Sequence, residues 1–258
     1  MVNGEKLNFV SLRMAETQLL SIYLRNLHEK IYTCASFKGH IITADEARLL
    51  NNINKKHADC VYGNENFFAG KDYIARLEDV HQYYIFLDVC YQVLINNIYT
   101  GLKTRCGFIT INSKLNAPYC IINNQKYIPI FYFDCETEKL IPQAIKLENW
   151  NLAYLKFCFT IMGIKKKFFA SDSCTVISID NLKNCDSNER NVEEYWPVVD
   201  TQLQTDKNST KVNPPTACII QPPKLVPIEN NILQILTTSA PVQPQSMMEI
   251  LHGVCVIS

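Results

Sequence analysis

The chain has 258 residues, 47% hydrophobic and 19% charged, enough to bury a sizeable core in one large domain or two small ones. Its 25 basic and 25 acidic residues cancel, which disfavours a wholly basic nucleic-acid binder and any global attraction to an anionic membrane. Eleven cysteines would suit a disulfide-bonded secreted protein, but the number is odd and MVNGEKLNFVSLRMAETQLL has no apolar core of a signal peptide, so reduced thiols in cytosol or nucleus are expected. The sequon at Asn208 is then silent.

In chain order, Leu7 to Ile31 reads as a first helix, with Leu12, Ala15, Leu19, Ile22 and Tyr23 on one face and Ser11 as cap. Thr43-Ala-Asp-Glu46 has the spacing of a capping box, in which the hydroxyl and the carboxylate satisfy each other's backbone N–H groups, and opens a second helix to about Lys56. Phe67 and Phe68 sit in a loop between Gly63 and Gly70, as core anchors or as an exposed contact. Asp72 to Tyr99 is the longest helical pattern, and Asp88 interrupts what would otherwise resemble a membrane span.

The periodicity changes after Gly107. Phe108–Ile111, Tyr119–Ile122 and Tyr127–Phe133 are short β-rich runs, and Asn123-Asn124 suits a hairpin turn because Asn tolerates positive φ. Pro129 inside the third run implies an edge strand or a bulge, since proline donates nothing to a ladder. Leu140–Leu147 is a weaker strand, and Cys174–Ile179 a further one.

Between them, Glu148 to Phe169 carries the central helix, spanning 150–163. Trp150, Tyr154, Phe157, Cys158 and Ile161 follow one helical face, while Leu152, Leu155, Phe159 and Met162 cover most of the other. Asn149 or Asn151 can cap its start, and Gly163 can take the left-handed conformation that ends it. Trp150 and Tyr154 are expected in the main core. Tyr195-Trp196-Pro197 then closes the folded part with two aromatics.

The fold expected is therefore α+β: three N-terminal helices, a small mainly antiparallel sheet carrying the buried helix, then a tail. The globular domain covers residues 1–197. Residues 198–258 hold seven of the eleven prolines and read as a largely disordered tail. Two apolar islands interrupt the tail, one with Ile232, Leu233, Ile235 and Leu236, the other with Met247, Met248 and Leu251. Flanked by prolines, they have no core of their own to join and are expected to dock on partner proteins.

The chain has no phosphate-binding glycine loop, C-x-x-C, H-E-x-x-H or G-x-S-x-G. His57-Ala-Asp-Cys60 is half a zinc site without a second half. Asp79 and His81, two apart on a helix, point to different sides. No catalytic residue, metal or cofactor is assigned, so the expectation is a non-catalytic interaction or adaptor protein.

Two other classes compete with it. Lys165, Lys166 and Lys167 followed by Phe168 join charge to aromatics, as a nuclear regulator contacting chromatin or RNA would, although three lysines after a helix also answer its dipole. A thiol-dependent enzyme is the other. Finally, Cys255-Val-Ile-Ser258 has the form of a C-a-a-X box, which marks Cys255 for farnesylation. No polybasic run precedes it, so a single prenyl chain would give reversible membrane association of a cytoplasmic protein.

Overall fold

The structure is a computed structural model and describes residues 8–57, 67–99, 105–164, 171–184, 191–197 and 220–221. It is α+β with antiparallel sheets, as the periodicities imply. The chain forms two compact units. One is drawn from Met1–Ile22, Ser36–Tyr84 and Pro215–Ser258, the other from Tyr23–Ala35 and Ile85–Pro214.

The first unit is built on a sheet that the helical reading of the N-terminal third missed. Strand β1 (Phe9–Ser11) runs straight into helix α1 (Leu12–Ala15), a π-helical segment (Glu16–Leu20) and α2 (Ser21–Asn26). Ser11 caps α1 as expected, accepting the Met14 N–H at 3.4 Å. The single helix over Leu7–Ile31 is nonetheless replaced by a strand and several short helices, the last being α3 (Glu29–Tyr32).

Strand β2 (Phe37–Ile41) had no sequence signal that stood out, because Gly39 and His40 break the alternation. Helix α4 (Ala44–His57) opens on the capping box: Glu46 accepts the Thr43 N–H at 2.7 Å, and Thr43 accepts the Glu46 N–H at 3.3 Å. Tyr73–Arg76, the start of the longest helical pattern, is strand β3, and helix α5 covers only Leu77–Leu94. Both β1 and β2 pair antiparallel with β3, so Ile74 and Ala75 are central sheet residues. Phe9, Ile74, Ile42, Leu50, Ile53 and Phe67 form this unit's core, with α4 supplying Leu50 and Ile53.

The second unit holds a six-stranded sheet. Its strands are β4 (Cys106–Ile111), β5 (Leu115–Ile122), β6 (Gln125–Pro129), β7 (Ile145–Leu147), β8 (Cys174–Ser178) and β9 (Val192–Tyr195). The order is β7-β8-β6-β5-β4-β9, with every pair antiparallel. Asn123 and Asn124 join β5 to β6 with φ of 50° and 62°, the geometry of a two-residue primed hairpin turn. Strand β6 is interior, paired on both sides, and not the edge that Pro129 implied. The proline is its last residue, opposite Val176, and 3-10 turns over Ile130–Glu136 follow at once. The weak strand at Leu140–Leu147 shrinks to β7, because helix α6 (Thr137–Leu140) and a 3-10 turn at Ile141–Gln143 come first.

Alternate residues of the sheet are buried on opposite faces. Ile109, Ala117, Tyr119, Ile128 and Ile177 pack with Phe133, Leu140, Ile179 and Leu182, the last two from helix α8 (Ile179–Asn184). Gly107 is required here: a Cβ at that position would lie 2.6 Å from the hydroxyl of Tyr119, its partner across the ladder.

Helix α7 (Asn149–Ile161) is the buried central helix. Leu152, Ala153, Tyr154, Leu155, Phe157, Cys158, Phe159 and Ile161 are buried, which accounts for its apolar circumference. It ends in a Schellman motif, with the Gly163 N–H on Thr160 O at 3.1 Å, the Ile164 N–H on Phe159 O at 3.0 Å, and Gly163 at φ 69°. Its start differs from expectation: Glu148 is the N-cap, no side chain caps it, and Asn149 takes φ 53°. Trp150 is also corrected. It is partly exposed, two residues before Leu152, the first buried residue of the helix. Phe86 of α5 fills the expected place, 5.4 Å from the Tyr154 ring and 6.3 Å from Phe157. Trp196 and Tyr195 close this unit as the sequence suggested, 5.0 and 6.0 Å from Phe108.

Candidate interaction site

Three local arrangements could carry function, and each is set by short-range chemistry. The first is a polar clamp in the first unit. Arg13 of α1 makes an ion pair and hydrogen bond with Asp72, which is 8% exposed and also accepts the Phe68 N–H at 2.7 Å. The Arg13 guanidinium lies 4.6 Å above the Phe67 ring. From α4, Asn51 accepts the Phe67 N–H at 2.6 Å and donates to its carbonyl at 2.9 Å. The backbone of two successive phenylalanines is thus held from both sides. Phe67 is driven into the core at 2% exposure, while Phe68 stands 48% exposed with Lys71 over its ring. The choice left open by the sequence, core anchor or exposed contact, is resolved as one of each.

Glu16, in the π-helical segment, is a second feature with no sequence signal. Its Oε1 is buried and has no hydrogen-bond partner among the described residues. Burial pushes its carboxyl up from 4.5 to about 7, against the opposing pull of Arg13. Because the folded-state value exceeds the unfolded one, the stability tied to this group is full below pH 4.5 and is lost as pH rises through 7. Glu16→Gln should therefore be more stable than wild type at pH 8, by on the order of 1 kcal/mol once solvent screening of a partly exposed group is allowed for. The gain should vanish near pH 4 in paired urea melts. Equal stability at both pH values would show that the carboxyl titrates normally.

The third arrangement is a group of thiols. Cys34, Cys90, Cys106, Cys120, Cys158 and Cys174 are all free, all buried and all in the second unit. Cys106 and Cys120 face each other across β4 and β5, and Cys158 of α7 adjoins both. Burial pushes Cys34 and Cys120 up to about 12 and Cys174 to about 11, and raises Cys90 and Cys106 as well. A thiol nucleophile needs the opposite environment, exposed and electropositive. These cysteines act as small apolar side chains, and Cys34 gives its S–H a polar neighbour in Thr160 Oγ1 at 3.4 Å.

The residues singled out from sequence fall mostly elsewhere. Lys165, Lys166, Lys167 and Phe168 lie outside the described residues, as do Ile232, Leu233, Ile235, Leu236, Met247, Met248, Leu251 and Cys255. The histidine of the half zinc site ends α4, and Ala58 to Cys60 lie outside the described residues. Among the described residues no group of three or more His, Cys, Asp or Glu side chains could hold a metal ion. Asp79, considered with His81, is instead electrostatically linked to His40 of β2. Burial is the larger influence on both, lowering His40 and raising Asp79. Arg76 and Glu78 act on Asp79 more strongly than His40 does, and Lys38 and Glu46 act on His40 more strongly than Asp79 does. Among the described residues no helix is long and apolar enough to cross a membrane.

Of the 198–258 segment, Ile220 and Gln221 are described. They form strand β10, parallel to β2, with Ile220 opposite Phe37 and Gln221 opposite Lys38. No family model, curated protein or solved structure matches the chain.

Proposed function

We propose that the chain is a non-catalytic interaction protein whose folded units carry a Pro-rich segment, residues 198–258, that recruits partners. The observation that supports this most directly is the pairing of β10 with β2. Within a stretch whose prolines favour extended backbone, a short β-rich sequence makes main-chain contact with folded residues, which is the chemistry of strand-addition recognition. The apolar islands around Ile232–Leu236 and Met247–Leu251 supply further short docking segments of the same kind.

The same segment supplies an anchor when Val256-Ile-Ser258 forms the free C-terminus. The Cys255 thiolate then attacks the C1 carbon of a farnesyl diphosphate, a thioether forms and diphosphate leaves. One isoprenoid gives marginal, reversible membrane affinity, so the folded units would visit membranes on a long tether. The check is Cys255→Ser beside wild type in eukaryotic cells. Wild type should carry the isoprenoid mass and partition partly to membranes, and the variant should do neither. Identical partitioning with no added mass would end the anchor. Proximity labelling from chains 1–258 and 1–197 tests the recruiting role itself: the same neighbours for both would overturn it.

A further inference from the structure

Residues 216–221, Thr-Ala-Cys-Ile-Ile-Gln, lie between two proline pairs, Pro214-Pro215 and Pro222-Pro223. Thr216, Ile219 and Ile220 are β-branched and favour a strand, whereas none of the four prolines can donate to a ladder. The sequence therefore specifies a strand of at most these six residues, stopped on both sides. In the first unit, β2 is bonded to β3 through Gly39, His40 and Ile41, and among the described residues β10 is the strand on its other edge. A strand edge is a template for any extended chain until another strand covers it. It is also held in place, because Phe37 at its start is buried and packs edge-to-face on Tyr83 with ring centroids 5.3 Å apart.

We infer that the β2 edge is a strand-docking site whose resident occupant is the chain's own 216–221 segment. This deepens the interaction reading above and rests on residues 198–258 being the recruiting part. The occupant is a segment of the same chain because linkage sets its effective concentration near millimolar, above what a free peptide reaches in a cell. Docking closes the edge against aggregation. Displacement of the segment by a partner strand would lengthen the tether and expose Phe37–Lys38 together.

The experiment is amide-resolved hydrogen exchange on the full chain, comparing wild type with Ile220→Pro, which removes a donor from the docked strand. Exchange within Phe37–Lys38 should speed up at least tenfold in the variant, while Ile74 and Ala75 of β3 keep their wild-type protection. Adding a peptide of residues 214–223 to the variant should restore slow exchange. Unchanged exchange at both Phe37 and Lys38 overturns the proposal. Protection in wild type that falls on dilution also overturns it, since a second copy would then supply the strand. Faster exchange throughout β3 overturns it as well, because the segment would be a fixed part of the core. None of these readouts involves a partner, so the docking idea and the recruiting role can fail separately.

Discussion

Phe157→Ala should lower the stability of the second unit by about 3–5 kcal/mol, the range for truncating a fully enclosed aromatic. Phe157 is 0% exposed, within aromatic contact of Phe86 and flanked along α7 by buried Leu155, Cys158 and Phe159. Few of these neighbours can move to fill the space, because α7 is held between a capped end at Gly163 and the sheet beneath it. The informative comparison is Trp150→Ala on the same helix. A partly exposed side chain loses only part of its burial energy, so this larger truncation should cost less than half as much. Urea denaturation followed by tyrosine fluorescence or amide exchange in β5 would measure both. An equal cost for the two would mean that Trp150 is enclosed in solution, as its place on the apolar helical face alone suggests.

The second large effect is expected at Asp72. Asp72→Ala removes the acceptor of the Phe68 N–H and one charged partner of the Arg13 guanidinium. Breaking a buried ion pair from one side costs about 3–5 kcal/mol, and the 30% exposure of the Arg13 side chain lowers this to about 2–3 kcal/mol. Asp72→Asn keeps one acceptor oxygen for the Phe68 N–H and should recover about 1 kcal/mol of it. The loss should appear in amide exchange of α4 and β3, where the Phe67 clamp is attached. A double replacement with Arg13→Met should cost less than the sum of the single changes, since the charge that Asp72 neutralises is then gone. Strict additivity would mean that the pair contributes nothing as a pair.

How much of this was legible in advance depended on the range of the interaction. Thr43 and Glu46, Asn123 and Asn124, and Gly163 each act within four residues, and each performed the role that its chemistry implies. The apolar circumference of α7 likewise announced a helix enclosed on most sides, with Lys156 and Thr160 on the partly exposed remainder. Sequence alone misplaced the elements whose state is decided by partners. Tyr73–Arg76 and Phe9–Ser11 carry residues compatible with helix, but strand pairing around β3 gives their backbone groups partners on a sheet that no local pattern indicates. Pro129 signalled an edge or a bulge because the rule for proline is local, whereas its place at the end of an interior strand is a property of the whole ladder.

The candidate sites divide in the same way. The sequence by itself determined the capped and turned elements, the Pro-rich composition of residues 198–258 and the terminal cysteine motif, since these depend on adjacent residues. Only the tertiary structure decided that Phe67 is buried while Phe68 is exposed, and that six cysteines scattered along the sequence are all buried in one unit. Burial and long-range electrostatics are sums over groups from distant parts of the chain, and those sums exist only once the chain has folded.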